Sequence, residues 1–305
     1  MSRAERTLLP QLRERIRRIE RPAATAHGIL PFGIAEIDRA LPGGGLARGA
    51  LHEILGVGGD EEDGALGAAF AAGIIGRLVS PTSPPQSLPR LGPSLSPLKG
   101  GEKNQVRRLS LSGGGEDRGE VGAIGPTRDG IVLWCLPRPD LYGPGIATHG
   151  LDPGRVVLVQ ALRDAEILWA MEEGLRAPGI VAVVGEVGTL PAVASRRLQL
   201  AAERSGSTAF LLRRWRDGGQ AARERALPNA ATTRWRIAAM PSIPSRNEPG
   251  VGRPRWRVEL LRCRGGEPAC WKMEVPDATD HVSLAATLAD RPAAPVAAEK
   301  FRRAG

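Results

Sequence analysis

Between Gly130 and Trp215 the chain alternates apolar runs with amphipathic stretches, and this alternation restricts the fold more than any other feature. GIVLWCL (130–136), RVVLVQA (155–161), GIVAVVGEV (179–187) and STAFLLRRW (207–215) have the length and β-branched content of strands. LYGPGIATHGL (141–151) predicts a short helix. DAEILWAMEEGLRA (164–177) predicts a longer one, with Ile167, Leu168, Met171 and Leu175 on one face and Asp164 as its N-cap. SRRLQLAAERSG (195–206) predicts a third. Apolar strands separated by amphipathic helices call for a mainly parallel sheet covered on both faces, an α/β fold.

An opening unit of the same kind precedes this stretch. FGIAEIDRAL predicts a short helix, LPGGGLARG a glycine-rich turn and ALHEIL a strand; GALGAAFAAGIIGRLV follows the loop GVGGDEEDG as a small-residue helix. TTRWRIAAM, PRWRVELLRCR and ACWKMEVP then alternate with period two, predicting antiparallel C-terminal strands. The folded core is therefore assigned to 28–79 and 130–285. Ser, Pro and Gly make up 24 of the 51 residues from 80 to 130, a composition with too little buryable surface to repay ordering, so 80–129 is read as a disordered insert. Residues 1–27 carry a basic amphipathic helix with Leu12, Ile16 and Ile19 at helical spacing, and 286–305 is read as a flexible tail.

Composition decides the chemistry. Of 42 Lys+Arg in 305 residues, only Lys99, Lys103, Lys272 and Lys300 are lysines, leaving 38 arginines. A Walker-type phosphate loop needs lysine as Gly-Lys-Ser/Thr, and none of the four stands in that context. The net charge of +9 favours an anionic partner. Cys135, Cys263 and Cys270 form no C-x-x-C pattern and the four histidines are scattered, so neither a disulfide scaffold nor a metal site is expected. No apolar run is long enough to span a membrane, and a cytoplasmic location is expected.

The strings LPFGIAEID, LPGGGLARGALHE, LWCLPRPDLYGPGIATHGLDPGR, SRRLQLAAE, TRWRI and RPRWRVELLRCRGG resemble the ImuA family, whose core is RecA-like. Apart from the insert, the resemblance covers roughly residues 28–285. It places the phosphate loop at Gly56, Gly58, Gly59, Asp60, Glu61, Glu62, Asp63 and Gly64, where four consecutive carboxylates replace the lysine. Like charges about 4 Å apart repel by about 4 kcal/mol at an effective dielectric near 20, so such a loop opposes phosphate. The resemblance also implies a catalytic glutamate where Leu136, Pro137 and Arg138 stand, and a coupling glutamine where Arg213 stands. Glu186 remains as a Walker B-like carboxylate.

This implies a RecA-like scaffold without ATPase activity or cofactor. The resemblance further implies an accessory role in damage-induced (SOS) mutagenic translesion synthesis, as an interaction platform for an ImuB-like polymerase-related protein and an error-prone DNA polymerase, with RecA and single-stranded DNA as further partners. Two alternatives stand beside it: a DNA-dependent ATPase or recombinase, and a standalone single-stranded DNA-binding module. Candidate nucleic-acid or partner-binding residues are Arg213, Arg214, Trp215 and Arg216 after the fourth strand, where guanidinium groups could hold phosphates and an indole could stack on a base, together with Arg262 and Arg264. For the latter pair the competing reading is a β-hairpin with a basic edge. For the Arg-Trp-Arg triplets at 234–236 and 255–257, it is strand alternation with the tryptophan turned inward. His52 and Glu53 are expected on opposite strand faces, with His52 satisfied inside the sheet.

Overall fold

A computed structural model describes residues 26–58, 60–79, 105–108, 130–215, 217–243, 252–275 and 283–284, with 60–63, 105–108 and 283–284 followed as backbone only. The basic helix expected within 1–27, Arg216, most of the 80–129 insert and the tail from 286 lie outside these residues.

The central strands are β3 (Leu51–Leu55), β5 (Ile131–Leu136), β6 (Val156–Gln160), β7 (Ile180–Val187) and β8 (Thr208–Arg213). They run parallel in the order β3-β8-β7-β5-β6. β9 (Thr233–Met240) joins β3 in parallel; β10 (Arg255–Cys263), β11 (Ala269–Glu274) and β12 (Ser283–Leu284) continue that edge antiparallel. At the opposite edge, β4 (Gln105–Arg108) pairs antiparallel with β6, so four residues of the segment read as an insert stand as an edge strand. β1 (Ile29–Leu30) and β2 (Leu46–Ala47) form a separate antiparallel pair. The architecture is α/β, a large mainly parallel sheet with antiparallel C-terminal strands, consistent with a RecA-like core.

Every residue of β3, β5 and β8 is buried, as in a sheet covered on both faces; β5 is an unbroken apolar run, while His52, Glu53, Thr208 and Arg213 are buried with the apolar residues of β3 and β8. One face is covered by α1 (Ala35–Ala40), α2 (Asp60–Leu78) and α3 (Gly143–Thr148), enclosing a core that includes Ile37, Phe70, Ile75, Trp134, Phe210 and Trp235. The other is covered by α4 (Asp164–Arg176) and α5 (Ala192–Ser205), which bury Ile167, Met171, Leu175 and Leu198 against Leu51, Leu133, Val183 and Leu211. Gly185 on β7 permits this approach: a Cβ there would lie 2.1 Å from Met171 Sδ. The glycine-rich turn has an architectural reason as well. Gly43 and Gly44 take φ of 77° and 89°, and a Cβ on Gly45 would lie 2.4 Å from the Leu30 carbonyl oxygen.

One local expectation changes. Asp164 is not the N-cap of α4, since Arg163 holds that position; its carboxylate instead accepts from the amides of Gly188 (3.3 Å) and Thr189 (2.7 Å), tying the loop after β7 to the helix. The segment after β8, where the nucleic-acid candidates stand, continues into α6 (Gly218–Ala226), capped by Asp217 accepting from the Gln220 amide.

Candidate functional site

Ligands of open α/β sheets bind beyond the carboxyl ends of the strands, so the site is sought where β3, β5, β7 and β8 end. The end of β3 runs into Gly56, Val57 and Gly58, described here before α2 begins. The Arg225 guanidinium of α6 covers this loop, donating to the carbonyls of Val57 (2.7 Å) and Gly56 (3.4 Å). A cation held by carbonyl oxygens thus sits where a phosphate loop would present amides to an anion. Of the four carboxylate residues at 60–63 only the backbone is described.

Two carboxylates buried at this edge organise the arginines. Glu53, 1% exposed, stands directly opposite Arg234 on β9 and is held by Arg234, by Asn229 Nδ2 (2.6 Å) and by Arg213 (3.8 Å). Arg213 also donates to Glu224 of α6 (2.7 Å) and to the Gly188 carbonyl (2.9 Å), while Arg234 donates to the carbonyls of Arg225 (3.0 Å) and Leu227 (2.9 Å). The second carboxylate, Glu186 on β7, accepts from Trp134 Nε1 (2.7 Å) and Arg214 Nη1 (2.6 Å). Arg214 in turn grips Asp140 with both terminal nitrogens, at 2.9 and 2.8 Å. Burial pushes the Glu186 carboxyl above its usual range even though Arg214 and Trp134 pull it down. Burial acts in the same direction on Asp140, but the hydrogen bonds and charge of Arg214, with Arg138, outweigh it and hold that carboxyl below its usual range.

These partners change the expectations for the residues after the fourth strand. Arg213 is 6% exposed and Trp215 1%, so neither forms a surface. The Trp215 indole donates to the Gly188 carbonyl (3.1 Å), lies near the guanidinium groups of Arg213 and Arg225 (5.7 and 5.4 Å from the ring centre), and packs with Leu55, Ala221 and Leu261. Arg214 is spent on Glu186 and Asp140. The stacking platform read from the sequence is here a plug closing the end of the sheet.

At the other basic element, β10 and β11 form the expected hairpin, turning at 264–266. Arg262 donates to the carbonyls of Asn229 (3.1 Å) and Ala231, and Arg264 to that of Ala230 (3.4 Å). Both fasten the connection between α6 and β9. Trp235 and Trp256 face the core, and the arginines beside them point the other way. His52 is fully buried in a chain of hydrogen bonds: Trp235 Nε1 donates to Thr233 Oγ1 (2.7 Å), that hydroxyl lies 2.7 Å from His52 Nδ1, and Nε2 donates to the Ala47 carbonyl (2.8 Å). Burial lowers its pKa to about 4, so the ring is neutral at pH 7.

Sequence reasoning missed Asp140, Glu224, Arg225 and Asn229. Their roles depend on which strands are neighbours and on α6 folding back over the edge, neither of which leaves a periodic signal. The register that sets Glu53 against Arg234 is equally invisible in a linear chain. Among the described residues, no group of three or more His, Cys, Asp or Glu is placed to hold a metal, the three cysteines are free, and no helix is long and apolar enough to cross a membrane.

No protein-family model matches the chain. It is similar to the curated protein ImuA of Caulobacter vibrioides, in strain NA1000/CB15N and in strain ATCC 19089/CIP 103742/CB 15. Each is 34% identical over 292 residues, an alignment covering 94% of this chain and all of the relative.

Proposed function

Since the chain belongs to the ImuA family, we propose that it is a non-catalytic accessory protein of damage-induced mutagenic translesion synthesis. In this reading it acts in the cytoplasm as a RecA-like platform joining an ImuB-like polymerase-related protein to an error-prone DNA polymerase. The observation that carries the reading is the occupation of the carboxyl edge by the chain's own cations. Arg225 sits on the Gly56 and Val57 carbonyls, and Arg214 neutralises the Walker B-like Glu186. A nucleotide-dependent enzyme needs loop amides and a carboxylate free to organise phosphates and their metal. Here the corresponding positions stabilise the fold from within.

The test is co-purification of the full chain with the ImuB-like protein, combined with damage-induced mutation frequency in a null strain. Retention of the partner and a loss of induced mutagenesis are expected. Absence of association together with normal induced mutagenesis would overturn the reading.

A further inference from the structure

The two faces of the C-terminal sheet differ. Trp235, Ile237, Trp256, Val258, Trp271 and Met273 of β9–β11 pack into the core beneath α1 and α2. The core on the α4/α5 side takes no residue from these three strands. Leu261 of β10 packs with Trp215 and Ala221, and Arg234 and Arg262 hold the connection between α6 and β9; beyond these, among the described residues, the sheet extends past α5 as a shelf whose outer part is uncovered on one face.

That face is basic by design of its register. Arg257 and Lys272 stand directly opposite each other, Arg255 is opposite Glu274, and Glu259 is opposite Arg236. Four cations meet two carboxylates, and both carboxylates are already engaged: Glu259 by Arg236 and Arg257 (3.4 Å), Glu274 by Arg255 (3.7 Å). Arg257 is 45% exposed, and the exposed Lys272 has no carboxylate within ion-pair distance among the described residues. Like charges directly opposite across a strand pair destabilise it. A third strand of the same length could carry threonine at 272 without that cost, so the arrangement stores positive potential rather than stability.

We propose that this uncovered face of β9, β10 and β11 binds the phosphate backbone of nucleic acid without regard to base sequence. The choice of nucleic acid over an acidic protein follows from what the face lacks. Protein interfaces depend on aromatic and aliphatic anchors filling pockets, and all three tryptophans of these strands point inward. Phosphate binding needs only placed charge, and without an aromatic platform it gives no base preference. The surface is separate from Arg213, Arg214 and Arg225, whose guanidinium groups are committed to internal partners, and it does not depend on the chain being non-catalytic.

The test is fluorescence anisotropy of the full chain with a labelled thymidine oligonucleotide and with a mixed-sequence duplex, across about 50 to 200 mM salt. Wild type is compared with the double variant Arg257→Glu/Lys272→Glu and with Arg196→Glu, an exposed cation on α5. Expected are similar salt-sensitive binding of both DNAs, a loss of about tenfold or more in the double variant with a salt slope reduced by about 2, and little change in Arg196→Glu. The milder Arg257→Gln/Lys272→Gln should fall between wild type and the charge reversal. Equal binding by wild type and the double variant would overturn the proposal. So would an equal loss in Arg196→Glu, no binding by wild type at the lowest salt, or binding of a polyglutamate peptide in place of DNA.

Discussion

The carboxyl edge of the parallel strands and the outer face of the C-terminal sheet are both rich in arginine, yet they use it in opposite ways. At the edge, Arg213, Arg214, Arg225 and Arg234 donate to buried carboxylates and loop carbonyls, and Trp215 is sealed among them. On the sheet face, Arg257 and Lys272 oppose each other in solvent, and with Arg236 and Arg255 they make four cations beside the two carboxylates Glu259 and Glu274. A buried guanidinium must find partners or the chain does not fold; an exposed one is free to serve something outside. Arginine content alone therefore predicts nothing about binding until the register is known.

The contrast is broken most directly at Glu53. Replacing it with alanine leaves Arg213 and Arg234 short of their shared buried carboxylate and should cost about 3–5 kcal/mol in urea unfolding; a loss below about 1 kcal/mol would show the edge network to be dispensable. His52 gives the next largest effect. Its folded pKa is depressed from 6.5 to about 4, so the unfolded chain takes up a proton first as pH falls. Stability present above pH 6.5 is lost through the window down to pH 4, by about 3 kcal/mol from this group. A His52→Gln variant should show a correspondingly shallower acid slope, and an unchanged slope would place the titration elsewhere.

At Arg214, substitution by methionine should cost about 2 kcal/mol near pH 7.5, where Glu186 is left buried without its cation. Because burial already raises that carboxyl, protonation relieves the strain on lowering the pH, and the deficit should shrink toward pH 5. A deficit that grows on acidification would contradict the assignment. The smallest effect belongs to the sheet face: Arg257→Ala with Lys272→Ala should leave stability within about 0.5 kcal/mol of wild type, or raise it, because the pair it removes is repulsive.

The strand and helix pattern was legible because apolar runs such as IVLWCL and the spacing of Ile167, Leu168, Met171 and Leu175 are local signals that tertiary packing reinforces. The inward tryptophans of the Arg-Trp-Arg triplets follow from the same period-two logic. The site was less legible. Trp215 beside three arginines reads as an exposed nucleic-acid loop until α6 is seen to fold over the end of β3, and nothing in AARERALPNAATT announces that return. Likewise Asp164 has the chemistry of an N-cap, but the amides of Gly188 and Thr189 claim it because β7 ends beside it. Long-range partners choose among local possibilities, and a linear reading lists the possibilities only.

On the proposed function, the chain's own cations fill the place at the carboxyl edge that a nucleotide would take. Phosphate release from MgATP by the purified full chain, measured with and without single-stranded DNA, tests it most directly. No turnover above the buffer rate is expected in either condition. DNA-stimulated release that is abolished by substitution at Gly56 would contradict it.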